Sequence, residues 1–513
     1  MTDVRPVSRA LVSVYDKTGL IALGRALSDL GVSIVSSGST AATLVDAGVP
    51  ATPVEEVTGF PEMLGGRVKT LHPRIHAGIL ADRRLREHVD TLAEHGIEPF
   101  DLVVVNLYPF RETVASEASF DEIVEKIDIG GPSMVRAAAK NFESVGVVVS
   151  PGRYDAVVEE VRREGGLTRE TRLALASEAF AHTAAYDAAV AGWFAAGRAG
   201  DGLPGFLGLA LEKVTDLRYG ENPHQRGALY RDAAGPGPLG GAVVLQGKEM
   251  SFNNWLDVDA AYGLAGDLQP PAVVIVKHNN PCGAAIGEGP GDAYRRAFEC
   301  DTVSAFGGIV ATNVEADGEL AAAMAGVFTE VVVAPSFSDE AKAAFSDRAN
   351  LRVVEAPLPG RTGFDVRPFA GGALVQDRDL LTEARDAMEV ASSRQPTEDE
   401  WRDLLFAWTV AARVKSNTIV LAKDRATVGI GAGQMSRVDS AWIATRKAGD
   451  RARGSVVASD AFFPFPDALE VCADAGATAV IHPGGSVRDE EVLAVAERRG
   501  MAVVVTGRRH FRH

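Results

Sequence analysis

Lys277 and His278 stand side by side directly after the apolar run Ala272–Val276, with Pro271 in front of it. An imidazole with a reference pKa of about 6.5 can take a proton near neutral pH, and an ammonium beside it can steady a developing oxyanion. Chemistry is therefore expected at this pair. Neighbouring side chains on a regular strand face opposite ways, so both can serve one site only if the backbone leaves the strand at about 277. Asn279, Asn280, Pro281 and Gly283 provide for that exit. In an open parallel sheet, ligands lie beyond the carboxyl ends of the strands, which is where the pair falls.

Other residues suit anions. Ser37, Gly38, Ser39 and Thr40 form a turn between a strand and a helix. It reads either as a phosphate seat of backbone N–H groups or as a helix start capped by Ser39 or Thr40. The loop at 65–73 gathers Arg67, Lys69 and His72, as a binding loop or a solvated basic patch. Arg136 and Lys140 lie four apart on one expected helical face, an arrangement that costs stability unless an anion or acid answers it. The stretch 217–230 offers Arg218, Tyr219, Asn222, His224 and Gln225, donors suited to a phosphate or carboxylate. Gly429, Gly431 and Gly433 do not match GxGxxG, so a dinucleotide-binding reading is rejected in favour of close backbone approach to a ligand.

The elements that must position these groups follow from periodicity. Strands are expected over 10–14, 32–35, 102–105 and 145–149. A helix carries Leu20, Leu23, Leu27 and Leu30 and stops at Gly31, another follows Thr40, a third starts in the Gly-Gly-Pro-Ser run after Asp128, and more occupy 151 to about 195. The β-α-β-α order implies a parallel sheet. The Gly- and Pro-rich stretch 198–208 marks a boundary between a domain over 1–198 and a region over 199–513. In that region 245–261 is a polar loop entering a helix, 329–337 a strand, and 414–437 two strands joined at Asp424 and Arg425 followed by a helix. The strand ending in His482, Pro483 and Gly484 echoes the one before Lys277, which suggests two similar halves. The basic end over 507–513 reads as a solvated tail or a ligand contact.

With 513 residues the chain exceeds one core, and 46% hydrophobic with 24% charged residues is ordinary soluble composition. A net charge of −17 disfavours nucleic acid while leaving room for a local basic pocket. Cys282, Cys300 and Cys472 are odd in number and far apart, which fits a reducing compartment. No metal-ligand spacing, signal-like segment or apolar run of membrane length is read, so no metal, no membrane and a cytoplasmic location are expected.

The string VKHNNPCGAA, with SVYDKTG, SSGST, GGRVKTLHP, NLYPF, IDIGGPSMVRAAAKN, LRYGENPHQRGALY and SAFGGIVATN, resembles the bifunctional purine-biosynthesis enzymes that join AICAR transformylase to IMP cyclohydrolase. The resemblance runs through nearly the whole chain. It implies an α/β protein: an N-terminal methylglyoxal-synthase-like domain with a parallel sheet, then a transformylase region of two similar α/β, cytidine-deaminase-like halves. It implies a cyclohydrolase site with Lys69, Tyr108, Asp128 and Lys140 as catalytic groups, and Ser13, Ser37, Gly38, Ser39, Thr40 and Arg67 on the nucleotide. Ser39 stands where the family commonly has a second glycine.

For the transformylase site it implies Lys277, His278 and Asn417 as catalytic groups, Asn417 orienting the imidazole. Arg218, Tyr219, His224, Phe306, Gly307, Arg437 and Arg509 would bind substrate, and Glu330 would face the folate. The implied reactions are formyl transfer from 10-formyltetrahydrofolate, a co-substrate rather than a bound cofactor, to the 5-amino group of AICAR, and closure of FAICAR to IMP with loss of water. A homodimer is implied as well. Two rivals are a methylglyoxal-synthase-like lyase, which leaves about three hundred residues unused, and a nucleotide-sensing protein, which has no need of Lys277, His278 and Asn417.

Overall fold

The computed structural model describes residues 3–198, 202–233, 235, 237–360 and 363–513. Two compact units divide the chain at Leu211 and Glu212. The expected boundary after 198 falls against residues 199–201, outside the described residues.

The first unit has a five-stranded parallel sheet, in spatial order Thr52–Pro53, Ser33–Ser36, Arg9–Ser13, Leu102–Val105 and Gly146–Val148. Its central strands are apolar on both faces because helices cover both, as parallel sheets require. Helix Leu20–Asp29 buries Leu20, Leu23 and Leu27, the stripe its spacing predicts, and Gly31 follows it with a φ of 75°. Three groups are thereby set at the carboxyl ends of neighbouring strands: Ser13, Ser37 and Asn106. Helix Gly130–Lys140 runs beside the sheet, buried along Met134, Val135, Ala138 and Ala139.

The second unit is organised around a twelve-stranded sheet. Its strands in chain order are β1 Val243–Gln246, β2 Ala272–Val276, β3 Pro281–Ile286, β4 Gly308–Thr312, β5 Thr329–Ala334, β6 Arg352–Glu355, β7 Glu389–Val390, β8 Ile419–Lys423, β9 Ala426–Gly431, β10 Val456–Ser459, β11 Ala479–His482 and β12 Ala502–Val505. The spatial order is β1-β6-β5-β4-β2-β3-β9-β8-β10-β11-β12-β7. Each strand of the first six recurs six places later in the mirrored position. Helices repeat likewise: α1 Phe252–Asp267, α2 Pro290–Phe298, α3 Gly318–Ala323 and α4 Asp339–Ser346 answer α5 Glu398–Ala411, α6 Arg437–Ala448, α7 Asp467–Asp474 and α8 Asp489–Arg499. The two expected halves are present, but the counterpart of the strand before Lys277 is β8. The strand ending in His482 answers β5 instead.

Alternation divides the core. Val274 and Val276 of β2 join Val420 of β8 under α1 and α5, while Val273 and Ile275 face a second cluster and Ile419 and Leu421 a third. Each such buried side chain is worth about 1.5–3 kcal/mol relative to exposure. One expectation is corrected here. β2 pairs antiparallel with both β3 and β4, so the rule for carboxyl ends of a parallel sheet does not place Lys277 and His278. They lie where the β2–β3 hairpin turns, with Pro281 and Gly283 inside β3. Gly429 and Gly431 do permit close approach, but by the backbone of α6: a Cβ there would collide with Ala444 O or Ser440 O. Among the described residues no helix is long and apolar enough to cross a membrane.

Candidate active sites

In the first unit a cavity of about 570 Å³ is bounded by the strand ends and by the loop at 65–70. Ser37 holds the N-cap position of helix Gly38–Asp46, yet its hydroxyl makes no cap bond and meets Ser13 Oγ at 2.7 Å instead. Neither Ser39 nor Thr40 caps the helix. Thr40 Oγ1 donates to Val14 O at 2.9 Å and so ties the two strand ends together. The helix N-terminus is left facing the cavity, the arrangement that attracts a phosphate. Gly38 is favoured by its φ of 49°, and the space over it is taken by the end of the Lys69 side chain, whose Nζ lies 2.9 Å from where a Cβ would stand.

Lys69 pairs with Glu62 at 2.7 Å, and Arg67 forms an exposed pair with Glu125. Tyr108 packs edge-on against Tyr15 with ring centroids 5.6 Å apart. Asp128 accepts the Gly131 N–H at 2.8 Å, and its own N–H donates to Tyr186 Oη at 2.8 Å. Burial pushes the Asp128 carboxyl above its usual range, which these backbone bonds offset in part. Lys69, Tyr108, Asp128, Arg67 and the four residues 37–40 thus share one cavity with Ser13. Lys140 is not among them. It ends its eleven-residue helix, about 15 Å along the axis from Gly130. There it lines a separate cleft of about 720 Å³ with His72, His76, Arg136 and Phe180. Arg136 and Lys140 thus meet neither the strand-end cavity nor a carboxylate among the residues lining this cleft, and Arg136 lies over the Phe180 ring at 5.6 Å.

In the second unit the hairpin turn carries His278 and Asn279, with Lys277 N donating to Asn280 O at 3.0 Å. The backbone does leave the strand at 277: the β2–β3 register shifts after Ile275, and Asn279 has a φ of 56°. Lys277 Nζ donates to Phe306 O, and Gly307, at a φ of 71°, leaves room for it because a Cβ would lie 3.0 Å from that nitrogen. Phe306 packs on Phe328 at 5.3 Å. The imidazole of His278 is 80% exposed and its Nδ1 lies 3.8 Å from Asp257 Oδ2.

Asn417 does not reach that ring. Its Nδ2 donates to Gln434 O at 2.9 Å and Met435 O at 3.2 Å, and its Oδ1 accepts from Arg437 Nη2 at 2.9 Å. The expectation that Asn417 orients the imidazole is corrected on this ground: its amide is already committed, and the carboxylate nearest the ring is Asp257. The two segments are nevertheless joined, since Lys415 N donates to Asn280 Oδ1 at 3.0 Å. Arg437 is buried, with Nη1 on Asp460 Oδ1 at 2.5 Å and Ser459 Oγ at 2.8 Å, so it braces Asn417 rather than opening to solvent.

The remaining expected ligands are dispersed. Arg218 lies over the Tyr219 ring at 5.7 Å, and with His224 it occupies an exposed loop between strands Leu211–Leu217 and Gly227–Asp232. That loop touches α1 through Asn253 Nδ2 on Glu221 O at 3.3 Å. Glu330 is paired with Arg352 at 2.8 Å. Arg509 stacks on Phe511 at 4.6 Å in a tail that is packed, with His510 buried against Trp408 and bonded to Asp379 at 2.8 Å. Sequence reasoning missed Asp257 and Asp460. The signal for Asp257 was an acid on the stripe that buries Asn254, Val258 and Ala261; for Asp460, an acid directly after a wholly buried strand.

Comparison with known proteins bears on both sites. An MGS-like domain model matches residues 19–133, and a model described as AICARFT/IMPCHase bienzyme matches residues 138–447. The bifunctional purine biosynthesis protein PurH of Corynebacterium glutamicum is 52% identical over 520 residues, spanning 100% of this chain and 99% of its own. The protein of the same name from Desulfitobacterium hafniense is 52% identical over 516 residues, 98% of this chain and 99% of its own. A solved structure titled "Crystal structure of ForH" is 39% identical with a TM-score of 0.33, covering 37% of this chain and 99% of that one. A parallel-sheet unit with a helix N-terminus open to its cavity and a duplicated unit with a Lys-His turn are matched end to end by the two PurH proteins: the chain is a member of the AICARFT/IMPCHase bienzymes, bifunctional formyltransferase and cyclohydrolase enzymes of purine synthesis.

Proposed function

We propose that the unit from 212 to 513 carries formyl transfer and the unit up to 211 carries ring closure, so that the chain performs the last two steps of IMP synthesis. The observation that carries the reading is the hairpin turn that sets Lys277 and His278 together at one end of the sheet, joined through Asn280 to the segment bearing Asn417.

The amino group of AICAR is conjugated with its imidazole carboxamide and is a weak nucleophile. As its nitrogen attacks the formyl carbon of 10-formyltetrahydrofolate, His278 takes the amine proton and Lys277 steadies the oxyanion. Collapse of the tetrahedral adduct breaks the bond to N10 of the folate, which leaves with a proton. Arg218, Tyr219, His224, Phe306, Gly307, Glu330, Arg437 and Arg509 serve substrate binding in this reading. Arg437 acts through Asn417.

Ring closure is intramolecular, so positioning supplies much of its acceleration. The helix N-terminus at Gly38 and Arg67 hold the phosphate, with Ser13, Ser37, Ser39 and Thr40. Asp128, whose carboxyl burial has raised, and Tyr108 move protons or steer the amide, and Lys69 steadies negative charge as the carboxamide nitrogen attacks and water leaves. AICAR, FAICAR, IMP and folate are then the ligands, with no tightly held cofactor, in a cytoplasmic homodimer. Exposed apolar side chains on two small strand pairs, Leu211–Leu217 with Gly227–Asp232 and Phe364–Phe369 with Gly372–Asp377, among them Leu211, Tyr230, Phe369 and Leu374, support the dimer.

Purified protein given AICAR and 10-formyltetrahydrofolate should form IMP, followed by absorbance and mass. Lys69→Ala should let FAICAR accumulate and His278→Ala should stop tetrahydrofolate release. Folate turnover that survives His278→Ala removes the base from this scheme.

A further inference from the structure

The duplicated unit contains its own control for the Lys-His turn. Its second hairpin turns at Asp424 and Arg425, the counterparts of His278 and Asn279. Each turn is held by an aspartate on the sixth residue of the matching helix, Asp257 of α1 and Asp403 of α5. Asp403 spends both oxygens on backbone: Oδ2 accepts the Asp424 N–H at 2.8 Å and Oδ1 the Arg425 N–H at 2.6 Å. Asp257 spends one. Its Oδ1 accepts the Asn279 N–H at 2.6 Å, and Oδ2 faces Nδ1 of His278 at 3.8 Å. The oxygen that binds the main chain of the first turn residue in one half is thus turned to the side chain of that residue in the other.

We infer that Asp257 is a positioning residue for formyl transfer, holding the turn through Asn279 and selecting the His278 tautomer with its proton on Nδ1, so that Nε2 presents its lone pair to the amine. This deepens the reading of His278 as the base and rests on it. A carboxylate beside one ring nitrogen fixes which nitrogen carries the proton, and such contacts shorten when substrate orders the site. Burial raises the Asp257 carboxyl, and the Asn279 N–H together with the nearby His278 and Lys277 oppose that rise.

The test compares Asp257→Asn, Asp403→Asn and His278→Ala in the full-length protein, each assayed for formyl transfer, for closure of supplied FAICAR and for melting, with ¹⁵N spectra of the His278 ring. Asp257→Asn keeps an oxygen for the Asn279 N–H. It should lower kcat for formyl transfer about 10- to 100-fold with KM for AICAR within about twofold. It should also shift the His278 ring away from the Nδ1–H tautomer and leave FAICAR closure unchanged. Asp403→Asn should move melting alone. If Asp257→Asn only lowers melting, as Asp403→Asn does, with kcat per folded molecule and tautomer unchanged, the positioning role is overturned and the base assignment stands. Formyl transfer that persists in His278→Ala overturns the base assignment, and the inference with it.

Discussion

Replacing Arg437 by Met isolates the bracing of Asn417. The guanidinium is 4% exposed and Asp460 0%, and their 2.5 Å contact is supplemented by bonds to Ser459 Oγ, Thr418 O and Asn417 Oδ1. Removing one member of a buried pair leaves a charge uncompensated, at a cost of about 3–5 kcal/mol. Asp460 keeps two donors, the Thr418 N–H at 3.1 Å and the Ser416 hydroxyl, which places the loss toward the lower end. About 3 kcal/mol at roughly 2 °C per kcal/mol lowers the melting of the second unit by about 6 °C. Arg437→Met with Asp460→Asn removes the stranded charge and should recover most of that shift, while formyl transfer stays low because Asn417 has lost its donor in both. Calorimetry of wild type, single and double variants gives the first readout, and tetrahydrofolate release the second. A single variant that melts within about 1 °C of wild type, or a double variant no better than the single, refutes the reasoning.

Two further outcomes follow from burial. With its folded pKa raised, Asp128 contributes stability that is complete below about pH 3.9 and lost as pH rises through the raised value, so the ionised group costs stability at pH 8. Asp128→Asn should therefore raise the melting of the first unit at pH 8, the gain narrowing toward pH 4, while ring closure falls; a gain equal at both pH values contradicts the assignment. All three thiols are buried, and burial pushes Cys282 and Cys472 up to about 12 and Cys300 to about 11. Ellman's reagent at pH 8 should find three thiols in guanidinium and react only over hours with native protein. Rapid native labelling would show that the element around one of these thiols opens.

Much of the scaffold was legible because it rests on local pattern. The apolar runs at 102–105 and 272–276 are strands with those bounds, and the pair Asp424 and Arg425 is a two-residue turn with φ of 53° and 57°. Strand direction was not legible. Nothing in Ala272–Val276 distinguishes a strand with antiparallel partners from one with parallel partners, since both are buried on two faces. Lys69, Tyr108 and Asp128, which resemblance implies as cyclohydrolase groups, line one cavity. Resemblance implied Lys140 with them, and the eleven-residue helix carries that side chain about 15 Å away along its axis. Asp257 and Asp460 escaped notice because a buried acid reads in sequence as an ordinary surface charge until its donors are known.

Duplication makes two equivalent turns, and pairing sets them at opposite ends of the seam between β3 and β9. β3 and β9 run antiparallel with Ala285 opposite Ala426, so the turn at 278 lies level with the end of β9 near Gly433, and the turn at 424 lies at the far end near Ile286. Ile286 N indeed donates to Arg425 O at 3.0 Å. The Lys-His turn of the first half therefore meets the segment of the second half that holds Lys415, Asn417 and Gln434, an encounter sealed by Asn280 Oδ1 on Lys415 N. At the opposite end the same geometry brings Asp424 and Arg425 to Arg296, which binds Asp424 O and Ile286 O, and Asp403 closes both free N–H groups of the turn. At that end the turn is held by backbone bonds, and Asp424 stands where the other half has His278. In the proposed reading the base lies at the other end, where His278 holds the first turn position and only one oxygen of Asp257 accepts a backbone N–H.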